Sequence, residues 1–340
     1  MSSIASQQSI RSIIRRSTLT TKHKLNILTF CTHERYEQNL CRTGHNFYSI
    51  KHGKTWNTDF GKIPQNYEES DVAPWHVNFD LILCHTSCER ISLAKQLQNL
   101  FNVPILRHTH VLPDIRFDIA GQVEGFNAIP VDHNSFISNY SMSQWGNYKN
   151  NTTSVIEHGV DVDFWDAGEN PERDNVLLSV VNQWPDRDWC CGWNLWKETV
   201  RFQSPEAMPI RVLGDSPGLS RPADSIESLR HAYKSSSVFL NTSIHSPVPT
   251  VLMEAMASGC AVVSTNNCMI PEIIQHGENG LLADTADELR SSCQYLLDNP
   301  SKARELGEAA KKTMQDKFNL QRFVDDWNNL LFSVIDNYRK

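Results

Sequence analysis

The stretch PVPTVLMEAMASGCAVVSTNNCMIPEIIQHGENGLL, residues 247–282, decides the fold. It begins as a proline-containing turn, enters a helix near Thr250, leaves the helix through Ser258-Gly259 and continues as a buried β-branched strand. The start of such a helix presents free backbone N–H groups and a positive dipole end, which suit a diphosphate. Glu254 lies one turn further, where a carboxylate can accept hydrogen bonds from ribose hydroxyls. The stretch predicts a nucleotide site, although a glutamate here also caps helices in many α/β proteins.

Short apolar runs alternate with amphipathic stretches along the rest of the chain, which is typical of parallel strands joined by crossover helices. The pattern predicts an α/β fold. Residues 56–74 lack periodicity and are interpreted as a loop. Strands are predicted at 25–30, 79–84, 103–108, 135–139, 154–158, 175–181, 209–214, 237–242 and 260–265. Helices are predicted at 88–100, 190–203, 224–234, 250–258, 286–297 and from Lys302 to the end, with a break near Phe318.

A chain of 340 residues is long enough for two domains. The polar segment DAGENPERD, residues 166–174, is the candidate linker because it carries Gly168 and Pro171. We therefore predict domains at 24–166 and 167–320, preceded by a tail at 1–23. The tail contains basic residues and no Asp or Glu, and it is interpreted as a disordered basic tail, with a transit peptide or a weak membrane-surface anchor as the alternatives.

Composition excludes several classes of protein. The formal net charge of -7 argues against coating of phosphate backbones by bulk charge, although a local basic groove stays open. No apolar stretch approaches the roughly 20 residues that span a bilayer, and no signal peptide is visible. The 9 cysteines show no paired CxxC spacing, which indicates reduced thiols rather than a zinc site. We expect a cytoplasmic protein, with peripheral membrane contact as an option for the tail.

Four segments resemble the retaining glycosyltransferases of family 4, which have the GT-B fold. PVPTVLMEAMASGCAVVST matches that family's Leu-Glu-Ala-Met helix and the strand that follows, and IPEII with GENGLL matches its next element. VIEHGVDVDFW (155–165) and RVLGDSP (211–217) extend the likeness upstream. The resemblance implies two facing Rossmann-like domains with a cleft between them, the donor held by the C-terminal domain and the acceptor by the N-terminal one. It also implies that a last helix, 321–340, crosses back to the N-terminal domain.

The resemblance assigns roles to individual residues. Ser246 stands where relatives have the first glutamate of an E(x)7E pair, so the carboxylate that contacts the donor sugar is replaced by a hydroxyl. Arg187 is the candidate cation for the diphosphate, and His110 resembles the family's histidine near the sugar and the acceptor. The implied catalytic residues are His110, Arg187 and Ser246. The implied donor-binding residues are Glu254, Pro249, Thr250, Val251, Gly214 and Arg187. The acceptor-side candidates are His33, Glu34, Arg35 and His108.

No cofactor or catalytic metal is expected, since Asp161-Val162-Asp163 lies in the HGVD segment rather than after a strand of a nucleotide-binding N-terminal domain. The implied activity is transfer of a sugar from a nucleotide diphosphate donor to a hydroxyl of a saccharide, lipid or other acceptor, with retention. One alternative is a glycosyltransferase acting on a modified nucleic-acid base. Another is a non-catalytic nucleotide-sugar-binding protein, suggested by Ser246.

Overall fold

The computed structural model describes residues 23–52, 54–58, 61–85, 88–168 and 172–340, with the side chains of residues 88 and 89 left out. The predicted basic tail therefore lies almost wholly outside the described residues. Chain contacts divide the protein into two compact units. The first unit ends at His158 and takes in Gln321–Lys340 as well, and the second unit is Gly159–Leu320.

The strands are β1 Asn26–Thr29, β2 Asn46–Ile50, β3 Tyr67–Ser70, β4 Leu81–His85, β5 Ile105–Thr109, β6 His133–Phe136, β7 Thr153–Val155, β8 Asp174–Val180, β9 Ile210–Leu213, β10 Ser236–Asn241, β11 Ala261–Thr265 and β12 Leu281–Ala283. The helices are α1 Glu34–Cys41, α2 Cys88–Phe101, α3 Ile119–Ala128, α4 Asn139–Gln144, α5 Val162–Asp166, α6 Asp188–Cys191, α7 Trp193–Val200, α8 Ile226–Ser235, α9 Thr250–Ala257, α10 Ile270–Ile273, α11 Ala286–Asp298, α12 Pro300–Lys317 and α13 Leu320–Arg339. A short 3-10 turn covers Pro185–Arg187.

Each unit contains a sheet whose named strands all pair in parallel. In the first unit the described strands form a 7-stranded sheet of order β3-β2-β1-β4-β5-β6-β7. In the second they form a 5-stranded sheet of order β12-β11-β10-β8-β9. The central strands are buried on both faces, because helices cover both sides of such sheets, and this is why they appear in the sequence as unbroken apolar runs. Both units are Rossmann-like.

Three strands were not predicted: β2, β3 and the short strand β12. β2 has the sequence NFYSI, and β3 has the sequence YEES within residues 56–74, which the sequence analysis interpreted as a loop. That interpretation is wrong for Tyr67–Ser70. β3 is the edge strand and pairs with β2 alone, from Phe47–Tyr67 to Ile50–Ser70, so it needs little apolar surface. An edge strand with a half-exposed face does not produce a buried run in the sequence.

The division between the units lies at His158, before the predicted boundary at residue 166. The helix α5 belongs to the second unit, where the Lys234 ammonium donates to the carbonyl of Asp166 over 2.7 Å. Arg173, inside the predicted linker, donates to the carbonyls of Tyr233 and Ser258, both over 2.8 Å. The ends of the segment 166–174 are therefore fixed within the second unit.

The predicted helix over 190–203 is two helices, α6 and α7. They meet at Gly192, whose φ of 65° is left-handed and interrupts the helix.

The last helix, α13, lies in the first unit. Its apolar stripe is buried, and Trp327 and Phe323 are fully covered. The Trp327 indole N–H donates to the hydroxyl of Tyr36 over 3.1 Å. Arg322, at the start of the helix, donates to the carbonyls of Glu157 and His158 over 3.0 and 2.6 Å. These contacts fix the helix to the end of the first unit's main segment.

Candidate functional site

The order of the second sheet defines a place for a ligand. Counted along the chain, its strands lie in the order 2-1-3-4-5, read from β9 to β12, so the direction in which successive strands are added to the sheet reverses between β8 and β10. In open parallel sheets a crevice forms at such a reversal, beyond the carboxyl ends of the two strands. The segments that leave β8 and β10 are residues 181–188 and 242–249. They contain Arg187 and Ser246, and the second leads into Pro249 and helix α9.

Hydrogen bonds tie the segment after β10 to the residues that directly follow the segment after β8. The carbonyl of Cys190 accepts from the N–H groups of Ile244 and His245 over 2.9 and 3.1 Å. The Thr242 hydroxyl donates to the carbonyl of Gly192 over 3.1 Å. A Cβ at Gly192 would lie 2.0 Å from the Thr242 carbonyl oxygen, so only glycine allows this approach. The loops therefore meet at one edge of the second sheet.

Trp184 anchors the turn that carries Arg187. Its side chain is fully buried, its indole N–H donates to the carbonyl of Cys191 over 3.0 Å, and its backbone N–H donates to the hydroxyl of Ser216 over 3.1 Å. Arg187 itself is exposed, and one guanidinium N–H reaches the carbonyl of Asn182 over 3.4 Å. A rigid turn thus presents a solvent-accessible cation at this edge.

Gly214 ends β9 and packs directly on the same turn. Its φ is 117°, and a Cβ there would lie 2.2 Å from the carbonyl oxygen of Val181. The next residue, Asp215, donates its N–H to the Asn182 side-chain oxygen over 2.9 Å. Gly214 is therefore a close-approach position in the wall of the candidate site.

Helix α9 begins at Thr250 without a side-chain cap. Its N-cap residue Pro249 is buried, whereas Thr250 is exposed and both Ser246 and Val251 are half-buried. The first N–H groups of the helix consequently have no capping side chain and remain the natural donors for an anion. Five of the predicted donor-side residues thus share one edge with Gly214: Arg187, Ser246, Pro249, Thr250 and Val251.

The side chain of Glu254, which the sequence suggested would face a ligand, is buried. It is only 6 % exposed, and its Oε2 accepts a hydrogen bond from the buried hydroxyl of Tyr233 over 3.1 Å. Tyr233 lies on α8, which packs beside α9. The carboxylate is therefore part of the interior of the second unit, and its removal affects packing as well as any ligand.

The first sheet has the order 3-2-1-4-5-6-7 along the chain, with its reversal between β1 and β4. Among the acceptor-side candidates, His33 is exposed and Arg35 is half-buried at the start of α1. Glu34 is buried instead, because it accepts from the Lys54 ammonium and the Asn57 N–H, both over 3.0 Å. Burial favours the neutral acid, but these hydrogen bonds and the charge of Lys54 outweigh it and lower the pKa of Glu34. Its carboxylate holds the chain between β2 and β3.

His108 is an interior residue. It has no exposed surface, its Nε2 lies 2.8 Å from the Tyr36 hydroxyl, and its Nδ1 lies 2.8 Å from the Ser135 hydroxyl. The ring also contacts Trp327 edge-on. Because both nitrogens are engaged inside the fold, the prediction that His108 faces an acceptor is not supported by its position.

His110 is half-buried at the carboxyl edge of the first sheet, just after β5. Its Nε2 lies 2.9 Å from Nδ1 of His85, and Nε2 of His85 lies 3.2 Å from Oε1 of Glu37. Burial, with the charges of His108, His85, His158 and His33, holds the pKa of His110 well below its ordinary value. Glu37 and His85 were not among the residues predicted from the sequence. His85 is the last residue of β4, so its place at the end of the strand next to β5 was the available signal.

Asp161 accepts the N–H of Phe164 over 3.1 Å as the N-cap of α5, so the Asp161-Val162-Asp163 triplet has a structural use. Across the described residues no group of three or more His, Cys, Asp or Glu side chains could hold a metal ion. Within the same residues no helix is long and apolar enough to cross a membrane. The 8 cysteines whose side chains are described are free thiols.

The fold is the GT-B fold, a class defined by two Rossmann-like units of this kind. Among solved structures the chain is similar to HepE from Anabaena in complex with UDP, with a TM-score of 0.70 and 15 % identity over 92 % of this chain and 100 % of that one. It is also similar to the sucrose-phosphate synthase of Thermosynechococcus elongatus, with a TM-score of 0.69 and 15 % identity over 92 % and 100 % of the two chains.

Residues 223–313 match the family model described as glycosyl transferases group 1. N-acetyl-alpha-D-glucosaminyl L-malate synthase of Bacillus anthracis is 32 % identical over 87 residues, which are 25 % of this chain and 23 % of that protein. Alpha-maltose-1-phosphate synthase of Mycolicibacterium smegmatis is 29 % identical over 120 residues, 33 % of this chain and 29 % of that protein. The alignments thus span less than a third of these curated relatives. The matched family segment contains β10, α9 and β11, with the loop that carries Ser246.

Proposed function

We propose that this chain is a glycosyltransferase that takes a sugar from a nucleoside diphosphate donor and transfers it to an acceptor hydroxyl with retention of configuration. The donor binds at the carboxyl edge of the second unit's sheet, and the acceptor, a saccharide or a lipid, binds at the first unit. The observation that carries the proposal is that the group 1 glycosyl transferase segment, residues 223–313, contains β10 and α9, which form one side of the edge where the strand order of that sheet reverses.

The chemistry of this edge suits a diphosphate leaving group. Negative charge grows on the diphosphate as the glycosidic bond breaks, and fixed N–H donors or cations stabilise it. The uncapped first turn of α9 supplies N–H groups, and the exposed guanidinium of Arg187 supplies a cation on a rigid turn. Val251 and Pro249 provide the apolar surroundings of that turn. Gly214 keeps the wall of the site close to the backbone of β8.

A donor screen tests the proposal. The full chain is incubated with UDP-, GDP- and ADP-sugars, with and without a pool of extracted saccharides and lipids, and products are identified by mass spectrometry. Uridine diphosphate is the first nucleotide to try, since HepE structures hold UDP and UDP-glucose. We expect one nucleotide class to give free nucleoside diphosphate and a glycosylated product. Tight nucleotide binding without turnover would favour a non-catalytic protein, and a glycosylated DNA product would favour the nucleic-acid alternative.

Activity is expected to persist in EDTA, because the proposal assigns the diphosphate charge to the first turn of α9 and to Arg187 rather than to a divalent cation. The measurement is initial rate before and after chelation and dialysis, with added magnesium or manganese as the control. Complete loss of turnover that either metal restores would contradict the assignment.

Replacing Ser246 by glutamate restores the carboxylate that relatives have at this position and tests whether it affects the nucleotide or the sugar. If its loss left the nucleotide contacts intact, Ser246→Glu will leave nucleoside diphosphate affinity within about twofold of wild type, while turnover or sugar preference changes, because a charged acceptor replaces a hydroxyl beside the sugar. Ser246→Ala is the matched control, since it removes the hydroxyl without adding charge. A large fall in affinity for the free nucleotide in Ser246→Glu would mean that Ser246 lies against the nucleotide.

A further inference from the structure

A chain of three buried or half-buried groups crosses the carboxyl edge of the first unit's sheet. Glu37 lies on α1 and has no exposed surface, and His85 at the end of β4 is 1 % exposed. Nε2 of His85 is 3.2 Å from the Glu37 carboxylate, and its Nδ1 is 2.9 Å from Nε2 of His110. The same carboxylate oxygen accepts the N–H of Thr32 over 3.3 Å. The three groups come from segments far apart in sequence and meet beside the reversal between β1 and β4.

The order of the contacts along this chain restricts where the protons can lie. An ionised carboxylate can only accept, and a neutral imidazole has one N–H donor and one acceptor nitrogen. With Glu37 beside Nε2 of His85, a neutral His85 places its proton on Nε2, so its Nδ1 is an acceptor. His110 must then donate from its Nε2 to complete the contact. Its remaining nitrogen, Nδ1, is left as an acceptor.

That nitrogen is available to a ligand. His110 is half-buried, and its Nδ1 has no hydrogen-bond partner among the residues that the structure describes. The groups that face the ring are other imidazoles and a phenol: His85, His108, His158 and Tyr36. Burial is the larger cause that lowers the pKa of His110, and the charges of neighbouring histidines are the smaller one. The ring is therefore neutral at neutral pH. A neutral ring can use Nδ1 as an acceptor.

The neighbouring histidine shows the contrasting arrangement. The Trp327 N–H donates to the Tyr36 hydroxyl, which in turn contacts Nε2 of His108, whose Nδ1 contacts Ser135. Both nitrogens of His108 are consumed within the fold. The cluster therefore contains two parallel chains of polar contacts, and only the one that passes through His85 ends on an unoccupied nitrogen among the described residues.

We propose that Glu37 and His85 are positioning residues that hold His110 as the Nε2–H tautomer, so that His110 Nδ1 accepts a hydrogen bond from a hydroxyl of the acceptor. That an acceptor substrate places a hydroxyl here rests on the proposed function, whereas the tautomer of His110 does not. In this arrangement His110 selects for a hydroxyl at this position and orients its lone pairs. If His110 instead carried its proton on Nδ1, it would donate to the hydroxyl oxygen, and the hydroxyl proton would point away from the ring.

The first test needs no substrate. Long-range ¹H–¹⁵N spectra of histidine-labelled full-length protein at pH 7.5 report which ring nitrogen carries the proton. We expect His110 to be protonated on Nε2 in the wild type, and Glu37→Gln, whose amide can also donate, to lower the fraction of this tautomer. Tyr36→Phe is the matched control, since it keeps the ring but removes the partner of His108; it should change the His108 signals and leave those of His110.

The second readout is kinetic. With the donor found by the screen, Glu37→Gln is expected to raise KM for the acceptor by about tenfold or more while KM for the donor stays within about twofold, as for loss of one well-placed hydrogen bond. A wild-type His110 protonated on Nδ1 would overturn the inference, even if the variant fails to fold. Equal changes in both KM values would overturn its acceptor role. Absence of all sugar transfer with the expected tautomer would refute the proposed function and the hydroxyl contact, and would leave the tautomer established.

Discussion

Trp327→Ala is expected to lower the free energy of unfolding by about 3–5 kcal/mol, the largest effect of any single change considered. The indole is fully buried, packs edge-on against His108 at 4.9 Å between ring centroids, and donates its N–H to Tyr36. Truncation removes this apolar volume, leaves a cavity under α13 and deprives the Tyr36 hydroxyl of a donor. Urea unfolding followed by tryptophan fluorescence and circular dichroism measures the change.

The control for this substitution lies on the same helix. Asn329 is exposed, so Asn329→Ala should change the free energy of unfolding by no more than about 0.5 kcal/mol. A Trp327→Ala protein as stable as the Asn329→Ala protein would mean that α13 does not pack on the first unit as described.

Glu254→Ala is expected to weaken binding of the free nucleoside diphosphate by roughly 1–3 kcal/mol, because we propose that this carboxylate accepts hydrogen bonds from the ribose hydroxyls. It should also destabilise the second unit by a similar amount, since the buried Tyr233 hydroxyl loses the carboxylate that accepts its hydrogen bond. Isothermal titration calorimetry and urea unfolding measure the two effects separately.

Two further variants distinguish ligand binding from packing. Glu254→Gln keeps the size of the side chain and an oxygen for Tyr233 but removes the charge, so affinity should fall with little change in stability. Tyr233→Phe removes the buried hydroxyl but keeps Glu254, so stability should fall by about 1 kcal/mol with affinity nearly unchanged. Wild-type affinity in Glu254→Ala would show that the ribose does not lie at this carboxylate.

The central strands of both sheets were predictable because each is buried on both faces and forms a continuous apolar run. FDLILC and CAVVST are examples, and their observed strands are Leu81–His85 and Ala261–Thr265. The strands β2 and β3 were not predicted because NFYSI and YEES are short and interrupted by polar residues, so neither forms a continuous apolar run. Their positions depend on pairing with β1 and with each other, which is a property of the assembled sheet.

The candidate site was predictable where it depends on one contiguous segment. The turn and helix around Thr250 follow from local sequence, and Gly214 follows from a strand that ends in glycine. Contacts between distant segments were not predictable. Tyr233 meets Glu254 across two helices, and the contact between Glu37 and His85 depends on the order of β1 and β4 in the sheet. His108 and His110 are close in the sequence, yet His108 lies within β5 and is interior, whereas His110 follows the end of that strand and is partly exposed.

Hydrogen–deuterium exchange of the full chain, with and without a saturating nucleoside diphosphate, tests the central claim most directly. If the donor binds at the carboxyl edge of the second sheet, where the strand order reverses, protection will appear in peptides covering residues 181–188 and 242–257. Protection will be weak or absent in the first unit. Nucleotide-induced protection confined to the first unit, or no binding of UDP, GDP or ADP by calorimetry, would contradict the account.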